Sequence, residues 1–121
     1  MKNTERKTRR PIAVRLFAFI VFIFAFTREL LSSNIAVART VLFQPVSALS
    51  PGFITYRLDG LSDFEIVVLT HCITLTPGTT SVEVSQDHTQ LVVHALDARD
   101  PQDVCASIKA KLEAPMLAWT R

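Results

Sequence analysis

An α+β fold is what this sequence predicts, in the form of a membrane-associated N-terminal helix followed by a small β-α-β-β-α domain. Three observations carry it. An apolar helix stops abruptly at Thr76-Pro77-Gly78 and an alternating segment begins at once, a second alternating segment follows after a tight turn, and a basic stretch precedes an apolar run near the start. These features divide the chain into a basic tail (residues 1–10), a helix (11–43), a linker (44–52) and an α+β domain (53–121). In a chain of 121 residues that domain has a modest core, so further burial against another surface is expected.

The tail holds Lys2, Arg6, Lys7, Arg9, Arg10 and, just inside the helix, Arg15, against Glu5. Residues 1–15 thus carry a net +5 and leave −3 on the remainder of a chain whose formal charge is +2. Placed before an apolar run, such a charge suits an anionic membrane surface, and no motif or aromatic pattern supports nucleic-acid binding. Leu16 to Thr27 is uncharged and bounded by Arg15 and Arg28-Glu29, which is shorter than the roughly 20 residues a spanning helix needs. The pattern continues with Leu31, Ile35, Ala38 and Leu42 on one stripe and Arg28, Ser32, Ala36 and Arg39 on another. Three arrangements stay open: a crossing helix, a helix lying at the interface or against partner helices, and a cleaved signal peptide with a mature start near Arg39. The interfacial arrangement keeps both ends of the helix on one side of the membrane.

Pro45 to Pro51 breaks regular structure, and Phe53 to Leu58 reads as a strand closed by Asp59-Gly60. Ser62 with Glu65 forms a capping box for a helix over about Asp63 to Thr74, with Phe64, Val67, Val68, Cys72 and Leu75 at helical spacing. Ile66, Leu69 and Ile73 add a second apolar side, as expected of a helix buried on two faces. Pro77 lacks an N–H and Gly78 supplies the backbone freedom of a reversal, so the helix stops there. Thr79 to Ser85 alternates, with Val82 and Val84 assigned to the core face and Ser81, Glu83 and Ser85 to the other. Asp87-His88-Thr89 turns into Gln90–Ala95, and Asp100 with Pro101 opens a last helix presenting Val104, Ile108 and Leu112 to the sheet.

No acid, base and nucleophile are arranged as an enzyme site, and the histidines and cysteines lack metal-ligand spacing. Cys72 and Cys105 read as free, packed thiols. The apolar run contains no ionisable residue to relay protons or cations. The residues singled out are therefore structural or interaction candidates. Thr74, Thr76, Pro77, Gly78 and Thr79 form the helix stop, with hydroxyls suited to the last carbonyls. His94 sits on a strand, where a packed histidine competes with a pH-sensing one. Asp97 shapes the loop into the last helix, and Arg28 and Glu29 mark a polar stripe that suits pairing with a partner.

The blocks Arg28–Val37, Ser50–Phe53, Asp63–Thr79, Ser81–Ser85 and His94–Asp97, in this order, resemble the E subunits of the multisubunit Mrp/Mnh/Pha Na+(K+)/H+ antiporters. The resemblance covers residues 15 to 113. Where such proteins usually have two further hydrophobic segments, only the basic stretch precedes the matching region, so the chain reads as a short form. The resemblance implies an accessory subunit at a bacterial plasma membrane, serving assembly and stability, with its C-terminal domain cytoplasmic. It implies other membrane subunits and lipid as partners, no cofactor, and no small-molecule substrate bound by this chain. A stand-alone membrane-anchored interaction domain is the alternative.

Overall fold

The computed structural model describes residues 9–45, 47 and 49–121. Its elements run α1 (Ile12–Phe43), β1 (Gly52–Arg57), α2 (Asp63–Leu75), β2 (Thr79–Val84), β3 (Gln90–Ala95) and α3 (Pro101–Ile108), which passes through a π turn (Lys109–Glu113) into α4 (Ala114–Thr120). Most of the expected basic tail, residues 1–8, and residues 46 and 48 of the expected linker lie outside the described residues.

Helices and one antiparallel sheet make the architecture α+β. The sheet order is β1-β3-β2, with Gly52 opposite Ala95 on one side of β3 and Thr79 opposite Ala95 on the other. Because α2 joins β1 to β2 while β3 lies between them, this is a split β-α-β unit. Ile54, Tyr56, Leu91, Val93 and Ala95 turn to the helix-covered face and are buried. Tyr56, Leu91 and Val93 share one core with Ile66, Leu69 and Ile73 from α2 and Ile108, Leu112 and Met116 from the C-terminal helix. Each such aliphatic side chain contributes about 1.5–3 kcal/mol on burial. The opposite face is open, with Phe53, Thr55, Arg57 and Thr80 exposed.

Local chemistry sets the ends of α2. Ser62 Oγ accepts from the Glu65 N–H while the Glu65 carboxylate accepts from the Ser62 N–H, and Gly78 takes φ of 93° beyond the stop. The core face of α2, however, is mainly the one read as secondary: Ile66, Leu69 and Ile73 are buried, joined by Cys72 and the partly buried Val68 of the other stripe, whereas Phe64, Val67 and Leu75 are more than half exposed. A helix apolar on all sides has no periodic signal to choose between its faces.

Strand β2 also departs from its expected alternation. A bulge between Ser81 and Glu83 changes the register, so Val82 is exposed while Val84 still joins the core. Ser81, expected on the wet face, turns to α2: its Oγ donates to the Thr70 carbonyl and its N–H donates to Thr74 Oγ1. In the last helix, Ala114 N–H bonds the Lys109 carbonyl five residues back. That widening precedes Pro115, which has no N–H to give an ordinary helical turn.

α1 is a single helix running antiparallel to the C-terminal helix. Phe22 is buried, and Arg15, Ala18, Phe26, Glu29, Ser33, Val37 and Thr40 are partly buried, a repeat of three and four that defines its packed seam. Neither stripe expected from the sequence is this seam; Leu31, Ile35 and Leu42 point outward with Arg28 and Arg39. Among the described residues no helix is long and apolar enough to cross a membrane. The expected membrane character of α1 therefore has no span behind it. Its uncharged stretch is about 18 Å long at 1.5 Å per residue, against a hydrocarbon core of about 30 Å.

Candidate functional site

The seam between α1 and the rest of the chain gathers most of the residues that the sequence singled out. At its upper end the basic start of α1 meets the end of α4. Arg10 N–H donates to the Arg121 carbonyl at 3.1 Å and Arg15 Nε to the Trp119 carbonyl at 3.2 Å. A helix C-terminus offers unpaired carbonyls and partial negative charge, so arginines are well matched there. Below this, Trp119 packs edge-on to Phe19, with ring centroids 5.1 Å apart, and against Phe22 at 5.6 Å; Phe22 stacks on Phe26. Trp119 Nε1 is buried with no acceptor among the described residues.

Glu29 and the Thr-Pro-Gly turn come together at the middle of the seam. Lys111 Nζ lies 3.3 Å from Glu29 Oε1, and Ser33 Oγ donates to the same oxygen. Glu29, Thr76, Pro77 and Thr79 share the lining of a 220 Å³ cavity with Ser33, Asp103 and Lys111. A Cβ placed on Gly78 meets Val37 of α1 at 3.9 Å, so the turn lies directly beneath the helix. Its hydroxyls serve the end of α2: Thr76 Oγ1 donates to the Cys72 carbonyl and Thr79 Oγ1 to the Ile73 carbonyl, both at 2.8 Å, while Thr74 Oγ1 accepts from Ser81.

Four candidates lie elsewhere or point away. Thr74 is exposed and lines a different cavity with His71, Ser81 and Val82. Arg28 is exposed at the rim of a second cavity, of 440 Å³, which Glu29 and Lys111 also line together with Ser32, Ala110 and Pro115. His94 is on the open face of the sheet, edge-on to Phe53 at 5.2 Å. Asp97 pairs with Arg99 and accepts from its N–H, contacts that hold its carboxyl below the usual carboxylate range. Both cysteines are free thiols, Cys72 buried and Cys105 half-buried.

Two buried carboxylates escaped the sequence reading. Glu65, read only as a capping residue, also accepts from Thr120 Oγ1 and from Arg121. Burial raises its pKa, but the bonds from Arg121, Ser62 and Thr120 outweigh burial and hold it at about 2. Glu113, in the π turn, accepts from Tyr56 OH at 2.7 Å. Burial first, and this carboxylate second, push the Tyr56 phenol far above its usual value, so it stays protonated as the donor. Nothing in one dimension signalled either pair, whose members are 56 and 57 residues apart.

These contacts tie α1 to the α+β domain along its length. The family described as Na+/H+ ion antiporter subunit (MNHE) matches residues 2–118. The chain belongs to this family. Among its relatives in that family, the E1 subunit of the Na(+)/H(+) antiporter of Staphylococcus aureus strain bovine RF122 / ET3-1 is 37% identical over 104 residues, and its counterpart of the same name in strain JH9 is 36% identical. The match takes in 86% of this chain and 65% of each relative, so the chain spans slightly less than two thirds of their length. The fold resembles a chain in the Mrp complex from Dietzia sp. DQ12-45-1b, with a TM-score of 0.65 and 29% identity over 90% of this chain and 98% of that one. It also resembles a chain in the membrane-bound sulfane sulfur reductase, an archaeal respiratory membrane complex, with a TM-score of 0.70 and 26% identity over 93% and 71% of the two chains.

Proposed function

We propose that this protein is an accessory subunit of a multisubunit monovalent cation (Na+ or K+)/proton antiporter in a bacterial plasma membrane, contributing to assembly and stability rather than ion conduction. The observation that carries the reading is the two-sided character of α1. One side clamps its own domain through Phe22, Glu29 and Val37, while Phe17, Phe24, Leu31, Ile35 and Leu42 are each more than 60% exposed. Large apolar side chains clustered along a helix face that none of the described residues covers mark a surface completed by something apolar, here neighbouring membrane subunits and lipid. The relatives named as antiporter subunits, and the multisubunit setting of a matching chain, support the same partners. In this reading α1 lies at the membrane interface and the α+β domain caps the assembly from the cytoplasmic side.

Purification in mild detergent tests the proposal. The expected result is co-elution with polytopic membrane subunits, and loss of antiport when Ile35→Asp removes the chain from the complex. A monomer alone in its micelle overturns the assignment and favours a stand-alone membrane-anchored interaction domain.

A further inference from the structure

The apolar surface does not end with α1. Ile12, Leu16, Phe19 and Ile23 succeed one another by three and four residues and are all exposed, so they form one flank of that helix. Phe19 touches Trp119, and Trp119 touches Phe64 of α2 edge-on at a centroid separation of 6.2 Å. Phe64 itself is 61% exposed. An apolar ridge thus passes from α1 across the end of α4 onto the start of α2.

Arginine rims this ridge. Arg10 and Arg15 sit at its edge through their bonds to the end of α4, and Arg9 is exposed beside them. Arg9 also lines a 460 Å³ cavity with Ser62, Thr120 and Arg121, where the Glu65 carboxylate is already matched by Arg121, and among the described residues Arg9 has no carboxylate partner. Aromatic rings bordered by arginines match the two layers of an anionic bilayer surface, with rings at the level of the acyl boundary and guanidinium groups at the phosphates.

We propose that Phe64, Trp119 and Phe19, with Arg9 and Arg10 around them, form a contact site for anionic phospholipid that seats the α+β domain on the membrane beside α1. The inference rests on the membrane-complex reading above and adds to it which face of the domain meets lipid and which headgroup charge it prefers.

Trp119 is the sole tryptophan, so its fluorescence reports the contact directly. The full chain is mixed with phosphatidylcholine vesicles with or without phosphatidylglycerol, carrying acyl chains brominated near the headgroup. The expected result is quenching of Trp119 that is stronger with phosphatidylglycerol. Phe64→Asp and the double change Arg9→Glu with Arg10→Glu each weaken vesicle partitioning about tenfold and relieve the quenching. Asp at position 64 falls in the first turn of α2, where a carboxylate suits the helix, so this variant folds. Val82→Asp, exposed on the bulge of β2, leaves both readouts as they were. Unquenched Trp119, equal quenching in neutral and anionic vesicles, or wild-type partitioning and quenching in Phe64→Asp overturns the lipid site. Loss of subunit co-purification in Phe64→Asp with vesicle binding intact overturns it in favour of a protein neighbour. A chain that binds neither vesicles nor antiporter subunits takes the proposed function with it.

Discussion

The two halves of α1 differ in composition and in attachment: residues 12–27 carry only Arg15 as a charged side chain, whereas residues 28–43 carry Arg28, Glu29 and Arg39 together with Ser32, Ser33 and Asn34. In the first half the inner face is aromatic: Phe22 is 5% exposed, Phe26 stacks on it, and Trp119 closes the contact. In the second half the inner face is Ser33, Val37 and Thr40, none of them fully buried, resting over the Thr-Pro-Gly turn. Large apolar side chains are exposed on the outer faces of both halves, joined in the second by Arg28 and Arg39. Hydrophobicity along a helix therefore does not say which side holds it; the size and depth of the inner side chains do. The first half is anchored to its own domain by aromatic burial, and the second by the Glu29–Lys111 pair and the approach of Val37 to the turn.

Phe22→Ala tests the first half and carries the largest expected effect, a loss of about 3–5 kcal/mol by denaturant unfolding, because an aromatic ring leaves a cavity that its neighbours fill only in part. A loss below about 1 kcal/mol removes the distinction between the halves. Next is Glu65→Gln, which breaks the link from α2 to the end of α4 on which the first half rests. The Glu65 pKa is lowered from 4.5 to about 2 on folding, so its contribution is fully present above pH 4.5 and is lost as pH falls from 4.5 toward 2. Thermal unfolding across that window is expected to show an acid-side decline worth on the order of 3 kcal/mol in the wild type and a flatter profile in the glutamine variant. Identical profiles contradict the assignment.

Gly78→Val tests the turn below the second half. Space is available, since the added Cβ would sit 3.9 Å from Val37, but φ of 93° is strained for a β-branched residue. A loss of about 1–3 kcal/mol is expected, and unchanged thermal stability removes the argument from backbone geometry. Val37→Ala, removing two methyl groups from a half-buried position, is expected to cost no more than about 1 kcal/mol. An effect as large as that of Phe22→Ala erases the contrast from the other side.

What was legible in the sequence follows the range over which each signal acts. Ser62 with Glu65, Pro77 with Gly78, and Asp100 with Pro101 work through bonds between near neighbours, and the boundaries they imply match the observed ends of α2 and the start of α3 to within about a residue. Signals that need a partner far along the chain were silent. The core face of α2 is chosen by the sheet and the C-terminal helix, because Ile66 and Val67 are equally apolar. The Val82 bulge appears only in its pairing with β3. Of the candidate residues, the turn and Glu29 share the seam, whereas His94 on the open sheet does not join them, since strand parity sends it to the face opposite Val93.

Labelling of the outer face of α1 tests the central claim most directly. With Cys72 and Cys105 replaced by serine, cysteine is introduced at Ile20, Leu31 or Ile35, and reaction with a membrane-impermeant maleimide is compared between native membranes opened to both sides and the isolated chain in detergent-free buffer. The account expects rapid labelling of the isolated chain and at least about tenfold slower labelling in the membrane, where lipid and neighbouring subunits cover that face. Equal, rapid labelling in both settings would contradict it.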